Sequence, residues 1–206
     1  MKRYLVPISF AFVLGFAATP VARAGLISVT SGGIIIPAPL FIGDTDNPLP
    51  THQQGFNEKQ GVYVPGLLPV DGGAIAPGVT IDSHMIFFNQ TGDGDLVSVA
   101  TWTFSGEILG VMSDSPGSLE AFSSPFLGAS GTSGYPAGGY KYRGMESDDF
   151  YTILTPTTLE VTMHIAQPGD WIRVITRSSV PDSGATASLL AFGLIAIAWI
   201  RKIRSR

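Results

Sequence analysis

The sequence predicts an all-β protein, an antiparallel β-sandwich over residues 25–179 set between two apolar termini. Three observations predict it. Segments in the middle of the chain alternate apolar and polar residues with period two, as half-buried strands do. With 25 glycines and 15 prolines, the chain is broken often enough to fit many short strands and turns. Between those strands runs no long pattern of 3.6-residue period. At 45% hydrophobic and only 14% charged residues, the chain is also too apolar to stay disordered.

The elements follow in order. Ile27 to Pro77 holds short apolar stretches cut by prolines, which predicts irregular edge strands. Val79 to Phe88 reads as a strand, with Val79, Ile81, Met85 and Phe87 in one row interrupted by Ser83. Leu96 to Phe104 sets Leu96, Ala100, Trp102 and Phe104 against Val97, Val99, Thr101 and Thr103. The string Asn89-Gln90-Thr91-Gly92-Asp93-Gly94-Asp95 between the two is a strong turn signal and predicts a hairpin. Glu107 to Met112 is the next strand, and Ser118 to Phe122 a short helix in a stretch otherwise rich in Gly, Ser and Pro. Phe150 to Leu154 is another strand. Thr158 to Ile165 alternates most cleanly, with Leu159, Val161, Met163 and Ile165 opposite Thr158, Glu160, Thr162 and His164. Gln167-Pro168-Gly169-Asp170 fits a type II turn. Trp171 to Arg177 then returns as a strand with Ile172 and Val174 opposite Arg173 and Arg177, which predicts a second hairpin.

Charge separates the ends from the middle. Lys2, Arg3, Arg23, Arg201, Lys202, Arg204 and Arg206 are terminal, whereas acidic residues dominate residues 25–179. An acidic domain without a Lys/Arg patch repels phosphate, so nucleic acid is not an expected partner. With no cysteine in the chain, disulfides, thiolate metal sites and cysteine nucleophiles are excluded.

Residues 1–24 read as a signal peptide. Lys2 and Arg3 are the basic start, Leu5 to Ala18 the apolar run, and Ala22-Arg23-Ala24 the small-x-small cleavage pattern, with Gly25 the expected mature first residue. At the other end, residues 185–200 (ATASLLAFGLIAIAWI) carry no charge. Sixteen helical residues reach ~24 Å at ~1.5 Å each, a little short of a ~30 Å hydrocarbon core, and snorkelling arginines cover the difference. They are therefore expected to form a transmembrane helix, with Trp199 at the interface. Arg201, Lys202, Arg204 and Arg206 would act as the stop and anchor, with that end in the cytoplasm and the domain outside.

Val180-Pro181-Asp182-Ser183-Gly184 stands immediately before the apolar run. The order of motif, apolar helix and basic cluster over Val180 to Arg206 resembles the PEP-CTERM sorting signal in its VPDSG-type variant. The commoner form has Glu and Pro where Asp182 and Ser183 stand. The resemblance implies an exported bacterial protein held in the cytoplasmic membrane by its tail. It also implies processing at the motif by an exosortase-type protease-transpeptidase, and a host that makes exopolysaccharide. The stretch from Ile81-Asp82-Ser83-His84 through Thr103-Phe104, with Gly169-Asp170-Trp171-Ile172-Arg173-Val174-Ile175-Thr176 later, is similar to the β-sandwich region of other PEP-CTERM proteins of unassigned activity.

No catalytic constellation emerges from the residues. Gly128-Ala129-Ser130-Gly131-Thr132-Ser133-Gly134 does not match the Gly-x-Ser-x-Gly nucleophile elbow, and neither a P-loop nor a dinucleotide fingerprint is present. His52, His84 and His164 are far apart. His84 and His164 fall in expected strands, where they could meet over a zinc ion or simply be polar strand residues. Asp93 and Asp95, in the 92–95 turn with Asn89 and Thr91 nearby, offer oxygens for calcium but lack the rest of an EF-hand loop. Asp148-Asp149 is a similar candidate. Turn chemistry accounts for these residues equally well. Trp102 and Trp171 read as core, and Tyr135, Tyr140 and Tyr142 as a contact surface. The expectation is a non-catalytic structural or interaction protein without cofactor or metal, associated with exopolysaccharide. The alternatives are a carbohydrate-binding module, calcium-assisted or not, and a glycan hydrolase with paired carboxylates.

Overall fold

The computed structural model describes residues 25–42, 51–89, 95–135, 143–165 and 169–178. Among these residues twelve strands and one helix form: β1 Leu26–Val29, β2 Gly33–Ile35, β3 Gln53–Asn57, β4 Val62–Tyr63, β5 Leu68–Val70, β6 Gly73–Ile75, β7 Thr80–Phe88, β8 Leu96–Phe104, β9 Ile108–Met112, α1 Ser118–Leu127, β10 Phe150–Thr155, β11 Thr158–Ile165 and β12 Asp170–Arg177. The fold is all-β, as expected. One sheet runs β1-β8-β11-β10. A second runs β2-β3-β7-β12-β9, with β4 also paired to β7. Among the described strands only β2 and β3 pair in parallel.

The two sheets share a core. β8 and β11 contribute Ala100, Trp102, Phe104, Leu159, Val161, Met163 and Ile165 from one side. From the other, β7, β9 and β12 bring Ile86, Phe88, Val111, Ile172 and Val174. Trp102 is the centrepiece. Its indole rests on Gly33 and Gly55, which leave the space a Cβ would fill. The indole N–H donates to Gln53 Oε1 (3.0 Å), and Gln53 Nε2 donates across the gap to Ser98 O (3.0 Å) and Val161 O (2.9 Å). A wholly buried side chain of the second sheet thus stitches it to the first.

The second sheet is covered on its other face as well. Val64, Leu68, Ile75, Ile81, Met112, Leu127 and Ile175 form one cluster there. Ile42, Phe56, Met85, Phe87 and Trp171 form another. The architecture is therefore a sandwich with a third, irregular layer of α1 and loops. β7 and β12 are consequently buried on both faces, whereas β8 alternates buried and exposed residues along most of its length.

This layering overturns both expected hairpins. β7 and β8 belong to different sheets, as do β11 and β12, so the connections after Phe88 and after Ile165 cross between sheets. A hairpin would have laid β7 beside the alternating β8 and left one face of Met85-Ile86-Phe87-Phe88 open to water. Placing β7 and β12 side by side at the centre of the doubly covered sheet buries both faces of each. The hairpins that do form are β5–β6, turning at Asp71-Gly72 with Gly72 at φ 70°, and β10–β11, turning at Pro156-Thr157.

Other expectations are refined. β3 is not an edge strand but an interior one between β2 and β7. The expected short helix extends to Leu127. Asp114 starts it by accepting from Ser118 N and Leu119 N, both at 2.8 Å. Among the described residues no helix is long and apolar enough to cross a membrane. Residues 1–24 and 185–200, the expected signal peptide and transmembrane helix, lie outside the described residues.

Candidate functional site

Val180, Pro181, Asp182, Ser183 and Gly184, the basic Arg201, Lys202, Arg204 and Arg206, and Ala22 and Ala24 also lie outside the described residues. The structure does show what they adjoin. Gly25 is buried; its N–H donates to Ser105 Oγ (2.6 Å), its carbonyl accepts from Ser105 N (3.0 Å), and β1 starts at the next residue. At the other end Arg177 N donates to Glu107 O (2.7 Å) and Ser178 N to Thr80 O (3.0 Å). The strand framework therefore starts one residue after the expected cleavage point and stops three residues before Val180.

Within the domain, the charged and polar residues of interest are turned inward. Arg173 sits on the covered face of β12, not on a solvent face as alternation predicts, and is wholly buried. Its Nε donates to Glu58 Oε2 (2.7 Å) and its Nη2 to Glu58 Oε1 (2.8 Å) in a bidentate fork. The remaining N–H groups reach Glu120 O, Ser123 Oγ and Ser124 Oγ on α1. All five donors are thus engaged. Ser83 Oγ adds a bond to Glu58 Oε2 (2.6 Å). Burial by itself would lower the Arg173 pKa, but Glu58 reverses the effect and the net shift is upward. The cluster clamps the helix to the second sheet.

α1 is correspondingly inverted. It buries Glu120, Ser123 and Leu127 and turns Phe122 and Phe126 outward, edge to face at 6.1 Å. The Glu120 carboxylate is buried with no hydrogen-bond partner for either oxygen. Burial first, then Asp114 and Asp71, push its pKa up to about 8 against the opposing pull of its own backbone and Arg173.

Arg143 has the same character at the end of the sandwich where the sheets exchange strands. Its Nε donates to Gly169 O (2.9 Å) and its Nη2 to Asn89 Oδ1 (2.7 Å). The guanidinium lies 3.9 Å from the Trp171 ring centroid, a cation–π contact. It thereby ties both crossovers together. Asp170, alongside, has its pKa raised to about 8 by burial, with Asp149 and Glu146 adding to the shift.

The histidines do not meet. His164 is exposed on β11 of the first sheet, and His52 bonds Thr51 Oγ1 (2.8 Å). His84 is wholly buried in the second sheet, 2.8 Å from Asn57 Oδ1 and 3.0 Å from Thr176 Oγ1. Asn57 Oδ1 also accepts from Leu26 N, so His84 Nδ1 carries the proton and Nε2 accepts from the Thr176 hydroxyl. Burial lowers the His84 pKa to about 3. A hydroxyl on an imidazole is the pairing a nucleophile needs, but here both residues are inaccessible beneath Phe104.

The cation candidates divide. Residues 92–94 of the acidic turn, with Thr91, lie outside the described residues. Asp149 is a turn residue, its oxygens accepting from Glu146 N (2.9 Å) and His164 N (2.6 Å). Among the described residues no group of three or more His, Asp or Glu is placed to hold a metal ion. Trp102 and Trp171 are core, as expected. Tyr135 belongs to the covering layer, its hydroxyl accepting from Ala129 N (2.8 Å) and its ring centroid 5.6 Å from Arg173 Cζ. Tyr140 and Tyr142 lie outside the described residues.

Sequence reading missed the Glu58–Arg173 clamp and the Arg143–Trp171 stack. The available signal was composition. Two arginines stand in a domain of few cations, one inside the apolar run Trp171-Ile172-Arg173-Val174-Ile175 and one in a Gly-rich loop.

An all-β domain whose last strand runs directly into a C-terminal sorting signal defines an exported, surface-sorted protein. The signal is specific: residues 179–204 match the VPDSG-CTERM motif, a variant of the PEP-CTERM-like tail. Such a tail is consistent with processing by an exosortase-type enzyme. No curated protein and no solved structure matches the chain.

Proposed function

We propose that this chain is a non-catalytic structural or interaction protein of the bacterial surface. A signal peptide cleaved before Gly25 exports it. The helix over residues 185–200 holds it in the cytoplasmic membrane with the domain outside, and an exosortase-type enzyme processes it at Val180–Gly184. Exopolysaccharide or another surface protein is its partner, and nucleic acid is not. The observation that carries the reading is the VPDSG-CTERM match at residues 179–204, directly after β12. The interior supports the non-catalytic part. His84, Thr176, Glu58 and Arg173 are hydrogen-bonded within the core and wholly or almost wholly buried.

Cell fractionation with N-terminal sequencing tests the proposal. The full chain should be found outside the cytoplasm beginning at Gly25, in the membrane fraction or released after processing. A variant lacking residues 180–206 should be exported but no longer retained by the membrane, because it lacks the proposed anchor. Intact Met1 on soluble cytosolic protein would overturn the assignment.

A further inference from the structure

The open edges of the sheets are not alike. At one end of the second sheet, β9 is covered by the β5–β6 hairpin, with Asp71 N donating to Val111 O (2.8 Å). At the other end, β2 is only three residues long. In the first sheet, β1 has four residues and a register shift between Leu26 and Ser28. β10 is the fourth edge. Its six residues, Phe-Tyr-Thr-Ile-Leu-Thr, include no charge and no proline. Among the described residues only β11 pairs with it. Phe150, Ile153 and Leu154 are 54%, 48% and 51% exposed. Natural edges of this length usually carry a lysine, a proline, a bulge or a cover that stops another strand from adding; β10 has neither lysine nor proline, and its one irregularity against β11 falls at Leu154, leaving Phe150 to Ile153 in regular register.

We propose that β10 is a self-association edge: two copies of the chain pair Phe150–Leu154 antiparallel about a twofold axis through Thr152, joining their first sheets into one. The side chains select this occupant and this register. Phe150, Thr152 and Leu154 share one face, and Tyr151 and Ile153 the other. A twofold axis at Thr152 sets Phe150 against Leu154 of the second copy, Thr152 against its own mate, and Tyr151 against Ile153. Every opposed pair is then aromatic–aliphatic or Thr–Thr, the combinations that stabilise neighbouring strands. The register shift towards β11 falls between Ile153 and Thr155, at the end of the paired block. Charge does not oppose the pairing. Glu160 lies opposite Thr152 on β11, so the two Glu160 residues would stand three strand spacings apart, ~14 Å, beyond the ~8 Å screening length at physiological salt. An isologous contact of this kind closes as a dimer and does not propagate. Anchoring by the tail, as proposed above, would confine both copies to one plane and raise their effective concentration.

The chain has no cysteine, so single substitutions report the contact directly. Full-length Thr152→Cys, expressed in cells and oxidised, should form a disulfide-linked dimer. Directly opposed residues have Cα atoms ~4.5–5.5 Å apart, inside the range a disulfide spans. Leu154→Cys alone should cross-link at least about tenfold less, because its own mate lies ~13 Å along the strand. Leu154→Cys co-expressed with Phe150→Cys should cross-link between the two. Thr152→Lys, which places like charges face to face, should abolish the Leu154–Phe150 cross-link while leaving the thermal transition of the chain in place. Two results would overturn the proposal: cross-linking of Leu154→Cys alone as efficient as that of Thr152→Cys, or no dimer from Thr152→Cys and from the mixed pair. Failure of export would leave the cytosolic pool to be assayed in the same way, so the two readings fail separately.

Discussion

Replacing Arg173 by methionine keeps the aliphatic stem but removes a guanidinium that is wholly buried and bonded through all five of its N–H groups. The loss leaves the Glu58 carboxylate, also shielded from water, with the hydroxyls of Ser83 and Tyr135. It also frees the Ser123 and Ser124 hydroxyls from the clamp on α1. Removing one partner of a buried pair costs about 3–5 kcal/mol, most of it the penalty of the charge left behind. For a domain of this size that corresponds to a fall of roughly 6–20 °C in midpoint temperature. The double variant Glu58→Met with Arg173→Met removes both charges, so it should lose far less than the sum of the single variants and approach the wild type. Urea unfolding of the purified chain, with the slope unchanged between variants, measures all three. An Arg173→Met loss below about 0.5 kcal/mol, the usual effect of a surface substitution, would place the residue in solvent, where simple alternation had put it, and would refute the clamp.

Two further predictions follow from the interior. Gly55→Ala sets a methyl group into the Trp102 ring, 2.7 Å from Cη2, and the wholly buried ring also lies against Gly33. The expected loss is about 2–3 kcal/mol from overpacking, whereas Gly66→Ala, with nothing within 4 Å, should be silent; equal denaturation midpoints for the two would remove the close packing from the account. The pH dependence of stability should have two limbs. His84 stays neutral down to about 3 while an unfolded imidazole protonates near 6.5, so stability falls as pH drops through that window. Glu120 and Asp170 stay protonated up to about 8 while unfolded carboxyls ionise near 4, so their contribution is complete below pH 4 and is lost as pH rises towards 8. Thermal unfolding should therefore peak in mildly acidic buffer. Glu120→Gln should flatten the alkaline limb and exceed the wild type at pH 9; an unchanged alkaline slope would refute the assignment of Glu120.

The strands that were legible are those with one wet face. β8 and β11 show their alternation because Val97, Val99 and His164 meet solvent while Trp102, Val161 and Met163 meet the core. β7 and β12 were located correctly but paired wrongly. Period-two patterning reports how many faces are wet, and a strand buried on both faces carries no such mark. Arg173 was misplaced for the same reason, since the alternation of β12 ran against a covering layer that the local sequence does not announce. α1 was cut short because its polarity is reversed. An amphipathic pattern with Phe122 and Phe126 outside and Glu120 and Ser123 inside has the opposite phase to the rule. The Asp71-Gly72 turn signal was present but stood among prolines that suggested irregular chain. The sorting tail was legible because its recognition depends on linear order, so no tertiary context was needed to read it.

The position of β12 links the fold to the tail. It is the last strand made, yet it supplies every layer: Ile172 and Val174 to the shared core, Ile175 and Trp171 to the two clusters on the covered face, and Arg173 to the clamp. It also lies between β7 and β9, in the interior of its sheet. Without β12, β7 loses a partner along its whole length and all three hydrophobic clusters lose members. β1, at the opposite end of the chain, closes the first sheet against β8 with Gly25 buried at its start. Both ends of the domain are therefore integral to its closure. A chain exported from its N-terminus would carry residues 179–204 out immediately behind the strand that completes the fold.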